Sequence, residues 1–353
     1  MFKYALAAII SALIALSSAP AAQAAAQGHT ASGKKPARHH ALATGGRGKV
    51  RAASARPRTG KVIINVRGKR VASLRPVRSS HPLAIARSAG DVAGLNLTPD
   101  QVGLASNVAF VLDQTSSEVL FEKNANVALP IASITKLMTG LVVVQAQQDM
   151  HEMISITDGD IDYEKHTSSR LGVGARMSRG DLLHIALMSS ENRAASALGR
   201  NYPGGINAFV EAMNAKARQL GMHDTRYVDA NGLSSRNIAS ARDLAKLAIA
   251  AYQEPLLREY STDPKYQVDA GGRLMHYSNT NYLVASPDWD IGLQKTGFIN
   301  EAGRCLVMQA MIQGRAVIMV FLDSKGKQSR TADAGRMRRW LEQLQQIRAP
   351  GLG

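Results

Sequence analysis

The sequence lacks the residues on which several common classes of site depend. Its 353 residues include one cysteine, Cys305, which excludes an internal disulfide, a cysteine-rich zinc module and an iron–sulfur cluster held by this chain alone. The main apolar run, from Leu6 to Leu16, is shorter than the about 20 residues that a membrane-spanning helix needs. The histidines show no metal-ligand spacing, so we expect neither a metal nor another cofactor.

Acidic residues are absent from the first part of the chain. The formal net charge of +16 reflects 43 Lys and Arg against 27 Asp and Glu, and residues 1–90 contain 16 of the basic residues and none of the acidic ones. From residue 91 onward, 27 basic residues therefore balance 27 acidic ones. The excess positive charge lies in an N-terminal arm, and the rest of the chain is predicted to be a neutral folded body.

The N-terminus has the three parts of a secretory signal peptide. Lys3 precedes the apolar run, and small residues follow it up to Ala22-Gln23-Ala24, which fits an A-x-A cleavage site. We expect cleavage after Ala24 and a mature protein in the periplasm, soluble or peripherally associated. The alternative is an uncleaved segment that anchors the chain at the membrane interface.

Residues 25–94 form the predicted arm, which is rich in Ala, Gly, Ser, Pro, Arg and Lys. Uniform positive charge and few large apolar side chains cannot offset the entropy of ordering, so we expect this arm to be largely disordered, although Val62–Val66 could form a strand. One interpretation is electrostatic tethering to an anionic wall polymer or a membrane surface, and the other is a solvated spacer. Because the protein is predicted to be exported, no nucleic-acid partner is expected.

Residues 95–353 have the pattern of a single α+β domain. A hairpin is followed by a block of helices, then by a three-stranded meander and an amphipathic helix, which predicts helices packed on an antiparallel sheet. Sequences starting at Ser178 and Ser240 match helix capping boxes, with Asp in place of Glu. The predicted strands are 108–112, 118–121, 289–296, 305–312 and 316–322, and the predicted helices are 133–147, 179–198, 207–220, 241–252 and 332–347.

Three short motifs occur in order along this domain. Ser133–Lys136 is S-x-x-K, Ser190–Asn192 is S-x-N, and Lys295–Gly297 is K-T-G. Each motif is weak alone, because S-x-x-K recurs at residues 32–35 and S-x-N at residues 235–237. Their order and their local contexts, at a predicted helix start and a predicted strand end, make a joint site the better interpretation.

The spacing of Ser133 and Lys136 in the first motif suits a serine nucleophile and its base. Residues three apart on a helix share a face, so Lys136 is predicted to lie beside Ser133. A serine hydroxyl becomes a good nucleophile when a base takes its proton, and a lysine can be that base if burial or a nearby cation such as Lys295 lowers its pKa. The N–H groups of Ser133 and Phe298 are candidates for an oxyanion hole, since Gly297 lets a substrate approach the strand.

At this point the sequence resembles the penicillin-recognising serine enzymes, specifically the low-molecular-mass D,D-peptidases and their D-alanyl-D-alanine endopeptidase branch. The resemblance covers about residues 100–350 and not the arm. It implies a β-lactamase-like α+β fold in which a helical subdomain carries the S-x-N motif. The segments that carry it are Pro130–Thr139, Leu187–Ala195, Tyr202–Gly205, Ala239–Leu244, Asn279–Asn281 and Leu293–Phe298.

The resemblance also implies a reaction. Ser133 would attack a D-alanyl carbonyl to form an acyl-enzyme, Lys136 would be its general base, and Ser190 would relay a proton to the leaving amine. The substrate would be the D-alanyl–diaminopimelate cross-link of peptidoglycan, and β-lactam antibiotics would be covalent inhibitors.

Substrate binding is implied for the remaining motif residues. Asn192 would bind the peptide backbone of the substrate, and Lys295 and Thr296 would bind its carboxylate end. Gly297 and Phe298 would complete the strand edge along which the substrate lies.

Three alternatives remain open. A D-alanyl-D-alanine carboxypeptidase is one, but the anchored relatives carry a further C-terminal domain, whereas only about fifty residues follow Phe298. A non-catalytic wall-binding protein of the same fold is another. A β-lactamase is weaker, because residues 227–233 lack the glutamate of an E-x-x-L-N pattern, so slow deacylation is expected.

Overall fold

The structure is a computed structural model that describes residues 87–348. The predicted signal peptide, residues 25–86 of the predicted arm and the possible strand Val62–Val66 lie outside the described residues. Within the described part, a short helix, Ala89–Val92, lies inside the segment assigned to the arm, and Ser88 is buried. The folded body therefore begins about eight residues before the predicted boundary.

The described residues contain eleven strands, eight α-helices and four short 3-10 helices. The strands are β1 Ser106–Asp113, β2 Val119–Lys123, β3 Leu129–Pro130, β4 Met153–Ser155, β5 Arg176–Ser178, β6 Ile238–Ala239, β7 Lys265–Asp269, β8 Leu274–Ser278, β9 Asp290–Ile299, β10 Gly303–Ile312 and β11 Arg315–Ser324. The helices are α1 Ala89–Val92, α2 Thr135–Gln145, α3 Arg179–Met188, α4 Asn192–Arg200, α5 Gly205–Gln219, α6 Ala241–Tyr252, α7 Pro255–Thr262 and α8 Ser329–Arg348. No helix within residues 87–348 combines the length and the apolar character needed to cross a membrane.

One five-stranded antiparallel sheet organises the fold, with its strands in the order β2-β1-β11-β10-β9. Alternate residues of a strand point to opposite faces. In β1, Val108 and Phe110 therefore contribute to the core shared with the helical block, while Ala109 and Val111 join the core under α8. The predicted hairpin, meander and closing helix are confirmed, and β9 at the sheet edge lies beside the helical block.

The predicted helix over 179–198 is wrong in one respect, since the chain breaks it into α3 and α4. Between them Ser190 adopts φ +63°, a left-handed conformation that is unfavourable for a residue with a Cβ. The side chain of Glu191 then caps α4 by accepting the backbone N–H of Arg193. The break turns residue 190 out of the helix and presents its hydroxyl to the sheet edge.

Candidate active site

Ser133 lies in a tight turn at the start of α2. Residues Ala132–Ile134 form a 3-10 helix that leads directly into α2, so the predicted helix over 133–147 begins as a 3-10 turn and ends two residues early. Ala132 has φ +47°, and the turn is otherwise buried, which leaves Ser133 as its partly exposed residue. Strain of this kind persists only where the surroundings enforce the conformation.

Gly232 is one of the residues that enforce this turn. It has φ +80°, and a Cβ added there would lie 2.0 Å from the carbonyl oxygen of Ala132. Only glycine combines that backbone conformation with such a close approach. The loop that carries Gly232 therefore packs directly against the backbone of the nucleophile turn.

Lys136 is the centre of the hydrogen-bond network. Its Nζ lies 2.8 Å from Ser133 Oγ, 2.8 Å from Asn192 Oδ1 and 2.6 Å from the Asn231 carbonyl oxygen. The side chain is fully buried, and burial is the main cause that lowers its pKa from 10.5 to about 7, against the opposing negative charges of Asp229 and Glu191. At neutral pH a large share of this amine is therefore unprotonated.

The three partners of Lys136 match the bonding capacity of a neutral amine. Asn192 Oδ1 and the Asn231 carbonyl can only accept, so they take the two N–H groups. The lone pair is then directed at Ser133 Oγ, where it can receive the hydroxyl proton. This is the geometry that a general base for a serine nucleophile requires.

Asp229 fixes the loop that brings Asn231 to Lys136. Its carboxylate accepts the backbone N–H groups of Asn231, Gly232 and Ser234. Asn237 connects this loop to the nucleophile helix, because its Nδ2 donates to Asp229 Oδ1 and to Thr135 Oγ1, both at 3.0 Å. Asn237 of the second S-x-N sequence, at residues 235–237, thus holds the loop that carries Asn231 against the start of α2.

Lys295 joins the second and third motifs. Its Nζ donates to Ser190 Oγ and to the Thr296 carbonyl, both at 2.9 Å. Burial lowers the pKa of Lys295 well below its ordinary value, and the positive charges of Lys136 and Arg330 lower it further. Lys295 was predicted at a strand end, but it lies in the middle of β9, whose edge position still exposes the motif to the cleft.

Asn192 lies at the start of α4 and faces the cleft. While its Oδ1 accepts from Lys136, its Nδ2 donates to Thr167 Oγ1 at 3.1 Å. The amide is therefore oriented by Lys136, and its donor group is occupied by an exposed threonine that a ligand could replace.

Gly297 provides the space between β9 and the nucleophile turn. A Cβ at this position would lie 2.9 Å from the Ile131 carbonyl oxygen and 3.1 Å from Ser133 N. The backbone of Ser133 and that of Gly297 are consequently neighbours, as an oxyanion hole shared between Ser133 and Phe298 needs. The Phe298 side chain points outward, 49% exposed, with the guanidinium of Arg304 4.6 Å from its ring centroid.

Sequence reasoning missed one residue of this cleft, Arg330, and assigned no role to a second, Thr280. Arg330, in the first turn of α8, donates to the Gly297 carbonyl at 2.7 Å, and burial lowers its pKa to about 10, so it is still charged at neutral pH. Thr280 Oγ1 lies 2.6 Å from Thr296 Oγ1. The sequence Asn279–Asn281 was singled out by resemblance, whereas a lone arginine carries no local pattern.

Comparison with known proteins finds matches that span most of the described residues. The family model for peptidase S11, described as D-alanyl-D-alanine carboxypeptidase, matches residues 96–326. A D-alanyl-D-alanine endopeptidase of Pseudomonas aeruginosa is 48% identical over 261 residues, which cover 73% of this chain and 83% of that protein. A D-alanyl-D-alanine endopeptidase of Escherichia coli is 41% identical over 263 residues, which cover 74% of this chain and 83% of that protein.

Solved structures show the same fold. The DD-transpeptidase of Streptomyces K15 superposes with a TM-score of 0.63 at 27% identity, covering 69% of this chain and 98% of that one. Penicillin-binding protein D2 from Listeria monocytogenes, in a cefotaxime-bound form, superposes with a TM-score of 0.61 at 28% identity, covering 68% of this chain and 98% of that one. The predicted α+β fold, an antiparallel sheet flanked by helices, is confirmed.

Proposed function

The chain belongs to the peptidase S11 family, and on that premise we propose that it is a serine D,D-endopeptidase that hydrolyses D-alanyl–diaminopimelate cross-links in peptidoglycan. The observation that carries the proposal is the buried Lys136 Nζ, 2.8 Å from Ser133 Oγ. The Pseudomonas and Escherichia relatives described above, 48% and 41% identical, are named endopeptidases, whereas several relatives named carboxypeptidases are 27–29% identical.

Acylation begins with Ser133. Its Oγ attacks the D-alanyl carbonyl carbon while its proton moves to Lys136 Nζ. The oxyanion that forms accepts the N–H groups of Ser133 and Phe298, which Gly297 allows to lie side by side. Lys136 is the catalytic base, and the depressed pKa caused by its burial supports this role.

Ser190 delivers a proton to the leaving amine. Because its Oγ accepts from Lys295, the hydroxyl hydrogen is free to point into the cleft. The C–N bond breaks as the amine takes this proton, and Ser190 takes a replacement proton from Lys295 Nζ, which donates to it at 2.9 Å. The peptidyl-D-alanine group remains esterified to Ser133. Water then hydrolyses the ester: its proton returns to Lys295 through Ser190, and Lys136 returns to Ser133 the proton it took. Residues 227–233 supply a carbonyl and a buried loop rather than a glutamate, which supports slow release of a bound penicillin.

A carboxylate of the substrate is proposed to bind between Lys295, Thr296 and Arg330. Within residues 87–348, no acidic side chain forms an ion pair with Lys295 or Arg330. A buried amine and a partly buried guanidinium without an acidic partner favour an anionic ligand. Asn192 completes the site by offering its amide to the peptide backbone once Thr167 is displaced.

Incubation with purified muropeptides distinguishes endopeptidase from carboxypeptidase activity. We expect cross-linked dimers to be converted to monomers, with loss of this activity in Ser133→Ala. Release of free D-alanine from pentapeptides, with dimers left intact, would make the enzyme a carboxypeptidase instead. Failure of penicillin to attach covalently, or attachment that persists in Ser133→Ala, would favour a wall-binding protein of the same fold.

Export and tethering form a second part of the proposal. A cleaved signal peptide ending at Ala24 would place the enzyme in the periplasm, where its substrate is. The basic arm would then bind an anionic wall polymer or a membrane surface. The N-terminal end of the described residues contacts the turn that follows β9, since the Ala89 N–H donates to the Glu301 carbonyl. Salt-sensitive retention on isolated sacculi, lost when residues 25–86 are deleted, tests this.

A further inference from the structure

The loop of residues 161–171 borders the candidate site on the helical side. It follows a 3-10 helix, Asp158–Asp160, and leads towards β5. Thr167 in this loop contacts Asn192 Nδ2, and Ser169 donates to the Glu191 carboxylate at 2.7 Å. The loop is therefore in direct contact with both residues that follow Ser190 in the S-x-N segment.

An ion pair connects this loop to the opposite side of the cleft. Lys165, two residues before Thr167, lies with its Nζ 2.5 Å from Glu301 Oε1. Glu301 is in the turn between β9 and β10, four residues after Gly297, which faces the nucleophile turn. Lys165 and Glu301 therefore form a bridge between the loop that contacts Asn192 and the turn that follows β9, which are two sides of the candidate site. We refer to this pair as the Lys165–Glu301 bridge.

The shape of the loop does not depend on this bridge. The Asp162 carboxylate accepts the backbone N–H groups of residues 164, 165 and 167 and the Thr167 hydroxyl. Arg170 Nη1 donates to the His276 carbonyl at 2.6 Å, and Arg193 Nη1 donates to the Leu171 carbonyl at 2.6 Å. These contacts hold the turn inside the loop and anchor its C-terminal end, so breaking the bridge frees two side chains and leaves the backbone in place.

The bridge is also easy to open. The side chains of Lys165 and Glu301 are 25% and 42% exposed, and ion pairs between partly exposed side chains contribute little and are screened by salt. A large ligand that enters the cleft can displace such an ion pair. A ligand small enough to pass beneath the pair can bind without displacing it.

We propose that Lys165 and Glu301 determine specificity: their bridge restricts entry of the large, cross-linked peptide and does not affect small acyl donors. The inference rests on the proposed endopeptidase function. During catalysis on a dimer, Lys165 and Glu301 separate, and the two peptide strands occupy the space between the loop and the β9–β10 turn.

The test compares two ligands on the same variants. Glu301→Gln and Lys165→Met remove the ion pair, and the double exchange Lys165→Glu with Glu301→Lys restores it with reversed charge. Glu342→Gln is the matched control, because it removes the partly exposed pair with Arg338 on α8, outside the cleft. For each protein, kcat/KM on a purified cross-linked muropeptide dimer and the second-order rate of acylation by labelled benzylpenicillin are measured.

We expect each single variant to raise kcat/KM for the dimer about two- to fivefold, the range set by the strength of an exposed ion pair, with penicillin acylation unchanged. The double exchange and Glu342→Gln should match the wild type. Added salt should accelerate dimer cleavage by the wild type relative to the single variants. If the rate of dimer cleavage and the rate of penicillin acylation change equally, or if dimer cleavage does not change, the proposed role of the Lys165–Glu301 bridge is wrong. A wild type that takes penicillin but cleaves no dimer overturns the endopeptidase function and the bridge with it.

Discussion

The acylation rate of Ser133 should follow the protonation of Lys136. Burial lowers the pKa of this lysine from 10.5 to about 7. At pH 7.5 about three-quarters of the amine is then neutral, compared with roughly 0.1% for a lysine of ordinary pKa. The buried position therefore increases the fraction of competent base by several hundredfold.

The sign of the pH dependence follows from the bond geometry. A protonated Lys136 has no lone pair for the Ser133 proton, so acylation slows as the pH falls through about 7. We expect about a tenth of the plateau rate at pH 6 and about a hundredth at pH 5. Glu191 is a matched probe, because its negative charge raises the pKa of Lys136. Glu191→Gln retains the acceptor for Ser169 and should move the acid limb to lower pH.

The assay is the second-order rate of acylation by a fluorescent penicillin between pH 5 and 9, with Ser133→Ala as the blank. A rate that does not change over this range, or an acid limb centred above pH 9, would refute the assignment of Lys136 as the base. A limb that moves upward in Glu191→Gln would contradict the electrostatic part of the reasoning.

Three further predictions concern the same cleft. Gly297→Ala places a Cβ 3.1 Å from Ser133 N and should reduce penicillin acylation at least tenfold, whereas Gly172→Ala, with open space around it, should not. Lys136→Met should abolish acylation. Below pH 7 it should also raise the free energy of unfolding, measured by urea titration, by on the order of 3–5 kcal/mol, because the depressed pKa of the buried lysine destabilises the wild type most at low pH. This gain in stability should decline as the pH rises from 7 towards 10.5. Arg330→Gln should raise KM for dimers about tenfold or more with a smaller change in kcat, and restoration by Arg330→Lys would identify charge as the cause.

Much of the fold could be predicted because its signals are local. Short, nearly continuous apolar runs bounded by turns identified β1, β10 and β11. The capping boxes at Ser178 and Ser240 place the starts of α3 and α6, where each serine accepts the N–H three residues later. The break at Ser190 was not predicted, since apolar residues continue at helical spacing through it. Its left-handed backbone depends on contacts with distant residues such as Lys295.

The site could be predicted in part for the same reason. Ser133 and Lys136 are close because they are one helical turn apart, and the structure brings them together as the spacing indicated. The Asn231 carbonyl, which completes the Lys136 network from 95 residues away, has no signature in the sequence because a backbone group has none. Arg330 was missed likewise, since its position is set by where α8 begins on the sheet.

The most direct test of the account is the intact mass of the mature protein after reaction with benzylpenicillin. A serine activated by Lys136 predicts an increase of one penicillin, located by peptide mapping to the segment that contains Ser133 and absent from Ser133→Ala. An unmodified mass for the wild type, or an adduct that persists in Ser133→Ala, would contradict it.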